Sequence, residues 1–450
     1  MDQSTNPCFS AILKIPGVND LENEFLSLLE SAGYVSSNHF VQKGHPRAAY
    51  FFGQGKIDEI GLFISEWCET QSRVDKLVFG NQLTPTQLVN IENKINSEYL
   101  INLKHEIEVM DKFKLVLEIF EHNAHDEEAK LQVELAAREY LLPFQKRRLV
   151  AKMGDTRKGE ATAGNTYAGA GVSLFEVQEM DFKRSRTAIK RKLEALEQKR
   201  FYRREKYKKR TELVTLSLLG YTSAGKSSLL NAITKADAKV DSSLFTTLST
   251  KTSGTKLDDL TILVSDTVGF IEDLPPFLFD AFKSTLEEAT DTDMTFCVVD
   301  GSEDLETVLR KLEVTFSVLA DLGSRENLGI LLTKSDLFNN GSSEIESKLN
   351  AVKAEFSGIQ VETISSLTGN VNGFWKLVSD FFPRYEYTLK IPLEQEKLKY
   401  SLYNQTNVVN EKFNAENNQL YLDITTRRPE WFEAWLNSIE RKTGVQLLDE

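Results

Sequence analysis

The chain of 450 residues is poor in the residues that build disulfide frameworks and zinc sites. It has five histidines and three cysteines, Cys8, Cys68 and Cys297. Cysteines so few and so scattered exclude a disulfide scaffold and a cysteine-based zinc site. No run of about eighteen apolar residues occurs, so no membrane span is expected. The N-terminus has an early acid and lacks the basic start of a signal or transit peptide. We therefore expect a cytoplasmic protein.

Charge is distributed unevenly along the chain. The net charge is −13, yet residues 183–210 contain fourteen Lys and Arg against three Glu. That segment carries +11, which leaves −24 on the rest of the molecule. A basic arm on an acidic body is typical of a protein that binds a polyanion, although a solvated helix face is the alternative.

Four segments with different patterns follow one another. Apolar strand-like runs that alternate with helical stretches, as they do after Thr211, predict a mostly parallel sheet covered on both faces. The fold class is therefore multidomain α/β. The predicted domains are an N-terminal α/β subdomain (1–125), a helical hairpin (126–210), a P-loop domain (211–384) and a small α+β domain (385–450).

The N-terminal subdomain is expected to alternate strands with helices. Apolar runs predict strands at 48–53, 76–80 and 98–103, and helical patterns occupy 21–33 and 56–69. In addition, Thr84 and Pro85 fit the cap and first turn of a following helix.

Two long amphipathic stretches predict the antiparallel hairpin. One apolar stripe runs through Leu131, Leu135 and Leu142, and another through Ile189, Leu193 and Leu196. Between them, residues 154–171 contain five glycines and little to bury. This segment is either a flexible connector or a tip that becomes ordered against a partner.

The strongest motif is G-x-x-x-x-G-K-S, which begins at Gly220 after an apolar strand and before a helix. Glycines let backbone N–H groups surround phosphates, and the helix N-terminus adds a positive dipole. Lys226 should reach the β- and γ-phosphates, and the Ser227 hydroxyl should bind Mg²⁺. The residues expected to contact nucleotide here are Gly220, Tyr221, Thr222, Ser223, Ala224, Gly225, Lys226, Ser227 and Ser228.

Two further elements are expected to sense the γ-phosphate and metal. Asp266 and Gly269 form D-x-x-G after an apolar strand, with Asp266 near Mg²⁺. Phe245, Thr246 and Thr247 precede it, and Thr247 can supply a second metal ligand from a mobile loop. Lys226, Thr247 and Gly269 are the predicted catalytic residues, and Ser227, Thr247 and Asp266 are the predicted metal site.

Guanine recognition is predicted from two further strings. Thr333, Lys334 and Asp336 read as an N-K-x-D element with threonine in first place, and the Asp336 carboxylate can accept two hydrogen bonds from guanine. Ser365, Ser366 and Leu367 look like a weakened S-A-K. These elements in order predict GTP and GDP as substrate and product, with Mg²⁺. Because Phe270 stands where many GTPases have a water-orienting glutamine, we expect slow basal hydrolysis.

The chain resembles the HflX family of ribosome-associated GTPases in GYTSAGKSSLLN (220–231), LFTTL (244–248) and especially DTVGFIEDLPPFLFDAFKSTLEE (266–288). The resemblance extends upstream to 50–60, 83–92 and 130–143. It implies that the GTP form binds the large ribosomal subunit, that the hairpin contacts ribosomal RNA, and that the protein splits or rescues ribosomes. Departures occur at Ser223, at Thr333 and within 168–181, where the family patterns differ.

Three functions compete at this point. The first is a GTP-driven ribosome-binding factor, stimulated by the ribosome and released on hydrolysis. The second is an assembly GTPase for large subunits, and the third is an RNA-binding scaffold with a structural nucleotide site. In each case we expect a monomer.

Overall fold

The computed structural model describes residues 6–17, 21–70, 74–101, 105–159, 167–208, 213–234, 251–267, 269, 286–287, 290–323, 327–338, 342–392, 395–414, 418–443 and 445–448. These residues form two compact units, one ending at Gln198 and one beginning at Lys199. Within these ranges, no helix has both the length and the hydrophobicity needed to cross a bilayer.

The first unit contains a four-stranded sheet in which every pair of neighbours is parallel, with strand order β2-β1-β3-β4. The strands are β1 (Asn6–Lys14), β2 (Tyr34–Lys43), β3 (Lys76–Phe79) and β4 (Glu108–Met110). The helices are α1 (Glu22–Ser31), α2 (Gln54–Thr70), α3 (Pro85–Lys94) and α4 (Lys112–Asn123), with a π-helical turn at Ile95–Tyr99.

Two helices in this unit begin at N-cap residues that their local sequences provide. Thr84 caps α3 in a reciprocal capping box with Gln87, and Pro85 occupies the first turn, as predicted. Asp111 caps α4, because its carboxylate accepts hydrogen bonds from the backbone N–H groups of Phe113 (3.1 Å) and Lys114 (3.0 Å).

Two predicted strands are wrong. Residues 48–53 form a turn, closed by an isolated bridge between Arg47 and Phe51. Phe52 packs against the sheet although its segment does not join it, since the fully buried Phe52 ring lies 5.2 Å from that of Phe79. Residues 98–101, the described part of 98–103, complete the π-helical turn and end it. The strand at 76–80 and the helices at 21–33 and 56–69 are confirmed.

The antiparallel hairpin is confirmed by α5 (Glu127–Gly159) and α6 (Tyr167–Lys208). Leu131, Leu135 and Ile189 form its buried seam, and Leu193 and Leu196 pack against them. Ion pairs show the opposite directions of the helices, because Glu139 pairs with Arg186 (2.7 Å) while the later Lys146 pairs with the earlier Glu179 (4.0 Å).

The glycine-rich segment is more regular than predicted. Residues 154–159 continue α5 and residues 167–171 begin α6, so these parts of the segment are helical and are not a flexible connector. Residues 160–166 lie outside the described residues.

The second unit contains a six-stranded sheet of order β10-β9-β8-β5-β7-β6. Only the pair of edge strand β6 with β7 is antiparallel, so the predicted mostly parallel sheet is confirmed. The strands are β5 (Leu213–Gly220), β6 (Lys251–Leu257), β7 (Leu260–Asp266), β8 (Met294–Asp300), β9 (Leu328–Thr333) and β10 (Gln360–Thr363). The helices are α7 (Lys226–Thr234), α8 (Leu305–Asp321), α9 (Ser342–Glu355) and α10 (Asn372–Phe381), with a 3₁₀ turn at Ser335–Leu337.

A separate antiparallel sheet of order β12-β13-β11-β14 follows, as the predicted α+β tail requires. Its strands are β11 (Tyr385–Pro392), β12 (Asn407–Asn414), β13 (Gln419–Thr426) and β14 (Gln446–Leu448), and its helices are α11 (Glu396–Gln405) and α12 (Pro429–Thr443). Leu389, Leu422 and Phe432 lie in its buried core.

The tail holds the turn between β6 and β7. Arg427 Nε donates to Asp258 Oδ2 at 2.9 Å, Arg384 donates to the same oxygen at 2.7 Å, and Thr426 Oγ1 donates to Asp259 Oδ2 at 2.6 Å. Burial alone raises the pKa of Asp258, but hydrogen bonds and attraction from the two arginines outweigh burial, and the pKa lies below its usual value. The turn and the tail are therefore bound together by charge.

Candidate nucleotide site

The loop from Gly220 to Lys226 connects the end of β5 to the start of α7. A Cβ at Gly220 would lie 2.0 Å from the Val298 carbonyl oxygen, and the φ angle there is +154°, so only glycine fits. Gly225 and Ser223 also have positive φ, +89° and +59°. The backbone thus forms the compact turn that the motif predicts, ahead of a helix N-terminus.

Lys226 is 7% exposed and folds back over this loop. Its Nζ donates to the carbonyl oxygens of Gly220 (3.0 Å) and Tyr221 (2.7 Å). Burial lowers the pKa of the ammonium group to about 8, and the charge of Asp266 partly opposes that effect. A cation held with so little water is favourably placed to bind phosphate oxygens.

Ser227 and Asp266 come together at the start of α7 and the end of β7. Ser227 Oγ donates to Asp266 Oδ2 at 2.5 Å, and Asp266 is fully buried. A hydroxyl and a carboxylate are the hard oxygen donors that Mg²⁺ prefers, so these two residues fit the predicted metal. The third predicted metal ligand, Thr247, lies outside the described residues, as do the predicted nucleotide contacts Phe245 and Thr246.

Gly269 lies against the phosphate loop. A Cβ there would lie 2.8 Å from the Thr222 backbone nitrogen and 2.9 Å from Lys226 Nζ. Thr267 fixes this approach, since its fully buried hydroxyl donates to the Leu218 carbonyl oxygen at 2.8 Å. The backbone of Gly269 is therefore next to the groups expected to bind phosphate, as D-x-x-G predicts.

Thr333 connects the predicted base-binding strand to the phosphate loop. Its buried hydroxyl lies 2.7 Å from the Ala224 carbonyl oxygen and 3.1 Å from that of Val299. A threonine in first place of the motif thus links the two loops directly. Sequence alone assigned Thr333 to nucleotide contact, whereas the structure shows this positioning bond.

The other residues predicted to recognise guanine also lie close together. The Ser365 hydroxyl donates to Asp336 Oδ1, which orients that carboxylate, and Asp336 itself is exposed. Lys334 has a left-handed φ of +55° and its Nζ lies 2.6 Å from Asp300 Oδ2. Leu367 is 85% exposed, so its side chain is not part of the packed site.

Sequence reasoning missed two contributors, Asp300 and Lys311. Asp300 ends the apolar strand β8 in the same way as Asp266 ends β7, which is the signal that could have identified it. Lys311 in α8 lies 5.4 Å from the Tyr221 ring centroid and pairs with Glu303 at 2.6 Å. No local sequence pattern indicates that Lys311 lies next to Tyr221.

Comparison with known proteins gives three family matches in chain order. A family described as "GTP-binding GTPase N-terminal" matches 20–121, one described as "GTP-binding GTPase Middle Region" matches 123–207, and one described as "50S ribosome-binding GTPase" matches 215–331. A protein named GTPase HflX from Thermococcus kodakarensis is 35% identical over 353 residues, which cover 77% of this chain and 73% of that protein. The chain belongs to the HflX family of GTPases.

A second HflX relative agrees. GTPase HflX of Methanocaldococcus jannaschii is 38% identical over 297 residues, covering 66% of this chain and 67% of that protein. Among solved structures, a GTP-binding protein of Sulfolobus solfataricus in complex with GDP is similar at a TM-score of 0.46 and 23% identity, covering 83% of this chain and 99% of that one. As an HflX GTPase, the chain binds GTP and GDP and hydrolyses GTP.

Proposed function

We propose that this HflX GTPase binds the large ribosomal subunit through ribosomal RNA in its GTP state, splits or rescues ribosomes, and is released by hydrolysis. Mg²⁺ bound by Ser227, Asp266 and Thr247 belongs to the proposal, as do action as a monomer and stimulation by the ribosome. Support comes from three sources: the nucleotide site, the basic helix α6, and the family description "50S ribosome-binding GTPase" that matches 215–331.

The observation that carries the RNA contact is the way α6 presents its charge. Ile189 is buried against α5, while Lys190, Arg191, Lys192 and Lys199 are exposed. The hairpin seam therefore uses only the apolar stripe of this helix, and cations cover the opposite side. A rigid helix with a cationic face suits the phosphate backbone of RNA.

Nucleotide control of binding would come from the phosphate end of the site. A γ-phosphate would meet Lys226 and the Gly269 backbone, and Mg²⁺ would meet Ser227 and Asp266. When bound, the metal supplies charge neutralisation for phosphoryl transfer. Phe270 has no group that can orient water, so hydrolysis should be slow until a ribosomal surface completes the site.

The decisive experiment is co-sedimentation with purified large subunits in a GTP analogue or in GDP. The test variant is Lys190→Glu/Arg191→Glu/Lys192→Glu on α6. The matched control makes the same charge change at three exposed lysines elsewhere, Lys353→Glu/Lys376→Glu/Lys412→Glu.

We expect the protein to pellet with large subunits in the GTP analogue and only weakly in GDP. The α6 variant should lose this binding, and the control variant should retain it. Removing three phosphate contacts should also make the salt dependence of binding shallower by roughly 2 to 3 units of slope. Equal pelleting in both nucleotides would reject nucleotide control of binding. Equal loss of binding in both variants would reject α6 as the RNA-binding surface. Light scattering of intact ribosomes then tests splitting, and accumulation of precursor particles on deletion would favour the assembly role.

A further inference from the structure

The N-terminal sheet has a crevice whose described lining residues include none of the predicted nucleotide-site residues. The chain leaves β1 for β2 on one side, then crosses to β3 and β4 on the other. In open parallel sheets this reversal opens a crevice at the carboxyl ends of the strands, where ligands bind. Here the crevice lies beyond the ends of β1 and β3.

A cavity of about 700 Å³ occupies that place, within the size range of small-molecule sites. Ile15, Phe51 and Phe113 contribute apolar walls, and Lys14, Lys43 and Lys112 contribute three cations. No carboxylate occurs among the described residues that line it. A partly apolar cavity with this charge favours an anion that carries an apolar or flat part.

The crevice is built rigidly. Asn81, which follows β3, accepts a hydrogen bond from the Leu13 N–H at 2.7 Å and donates to the Leu13 carbonyl at 3.1 Å, so it ties β3 to β1. Phe51 has a φ of +65°, which two backbone hydrogen bonds with Arg47 maintain. Strained backbone held in this way is typical of functional sites.

The local charge limits the size of the anion. Lys14 pairs with Glu22, and Lys112 Nζ lies 2.7 Å from Glu24 Oε1. Lys43 is exposed and has no ion-pair partner among the described residues. About one uncompensated positive charge suits one phosphate group, which carries −1.5 to −2. A triphosphate usually binds with Mg²⁺ and a carboxylate that holds the metal, and the described lining residues include no carboxylate.

We propose that this crevice binds a phosphate monoester, with Lys43 as the cation that meets the phosphate and Phe51 beside the attached group. Such a group is found on a free nucleoside monophosphate and on the 5′ end of an RNA chain. The two sources share the chemistry that the site recognises.

The test uses the full chain, loaded with GDP and Mg²⁺ so that the GTPase site is filled. Titration calorimetry compares uridine monophosphate, uridine, uridine triphosphate with Mg²⁺, and a short oligouridylate with either a 5′-phosphate or a 5′-hydroxyl. The variants are Lys43→Ala, which removes an exposed charge, and Ile15→Trp, which fills the cavity. The control is Lys56→Ala, at a lysine that pairs with Glu59 outside the lining.

We expect the monophosphate or the 5′-phosphorylated RNA to bind at least about tenfold more tightly than its unphosphorylated twin. Lys43→Ala and Ile15→Trp should each weaken that binding by about tenfold or more, and Lys56→Ala should leave it unchanged. The proposal is overturned by a failure of both phosphorylated probes to bind, by equal effects of Lys43→Ala and Lys56→Ala, or by a clear preference for the triphosphate.

Discussion

The link from Thr333 to Ala224 predicts how nucleotide affinity depends on one hydroxyl group. Thr333→Val keeps the size and β-branching of the side chain at the end of β9 but removes its hydroxyl. The Ala224 carbonyl oxygen, 2.7 Å away, then loses the hydrogen bond from this hydroxyl. The phosphate loop and the base-binding loop would no longer be joined at this point.

The size of the effect follows from the cost of leaving a buried acceptor unsatisfied, about 1–3 kcal/mol. If that cost falls on the nucleotide-bound arrangement, the dissociation constant for GDP rises between about 5-fold and about 150-fold. Fluorescent GDP gives this constant and the dissociation rate. Thr333→Asn, the usual residue of the motif, should bind more tightly than Thr333→Val.

Thr215→Val is the matched control. The Thr215 hydroxyl donates to Asp293 at 2.8 Å near the start of β5, at the opposite end of the strand from the phosphate loop. We expect it to leave GDP affinity unchanged. The reasoning is wrong if Thr333→Val binds GDP as the unaltered chain does, or if both valine variants lose affinity equally.

Three further predictions concern buried charge and hydrogen bonds. Because the pKa of Lys226 is lowered to about 8, GDP affinity should fall as pH rises above 8, and Lys226→Arg should flatten that profile, which titrations from pH 7 to 9.5 would reveal. Arg427→Met removes a side chain that is 7% exposed, so we expect the tail to unfold about 1–3 kcal/mol more easily in urea, whereas Arg384→Met, at a side chain 45% exposed, should cost less. Tyr140→Phe removes the 2.7 Å hydrogen bond to the fully buried Asp111 and should destabilise the first unit by about 1–2 kcal/mol in the same assay; an unchanged midpoint would contradict it.

The nucleotide site could be predicted from the sequence because each of its motifs depends on local spacing. A strand end, a glycine turn and a helix start fix where Lys226, Ser227 and Asp266 lie. The same holds for the hairpin, since apolar residues at helical spacing on α5 and α6 must meet each other. The role of Thr333 could be predicted only in part, because its hydrogen bond to Ala224 joins residues that are far apart in the chain.

Other features depend on tertiary contacts that no local pattern reveals. Residues 48–53 are as apolar as a strand, but they bury Phe52 beneath the sheet instead of pairing. The edge strand β6 could not be predicted because its sequence is polar. It is a strand because it pairs with β7. The arginine contacts from the tail to Asp258 join charged residues that look like ordinary surface positions in the sequence.

The contact between α5 and the buried Asp111 has a mechanical consequence. This helix has 33 residues, so it reaches about 50 Å from its first turn. Thirteen residues after the first residue of the helix, Tyr140 donates a hydrogen bond to the buried Asp111, and Pro143 about one turn later has no N–H to donate to the helix. The 19 residues of α5 beyond Tyr140 span about 28 Å, so a tilt of about 5° at Tyr140 would displace the far end of the helix by about 2.5 Å. Asp111 and Glu92, which pairs with Arg148 at 2.9 Å, together hold this part of α5, so a small shift of either carboxylate would be enlarged at the distal end of the hairpin.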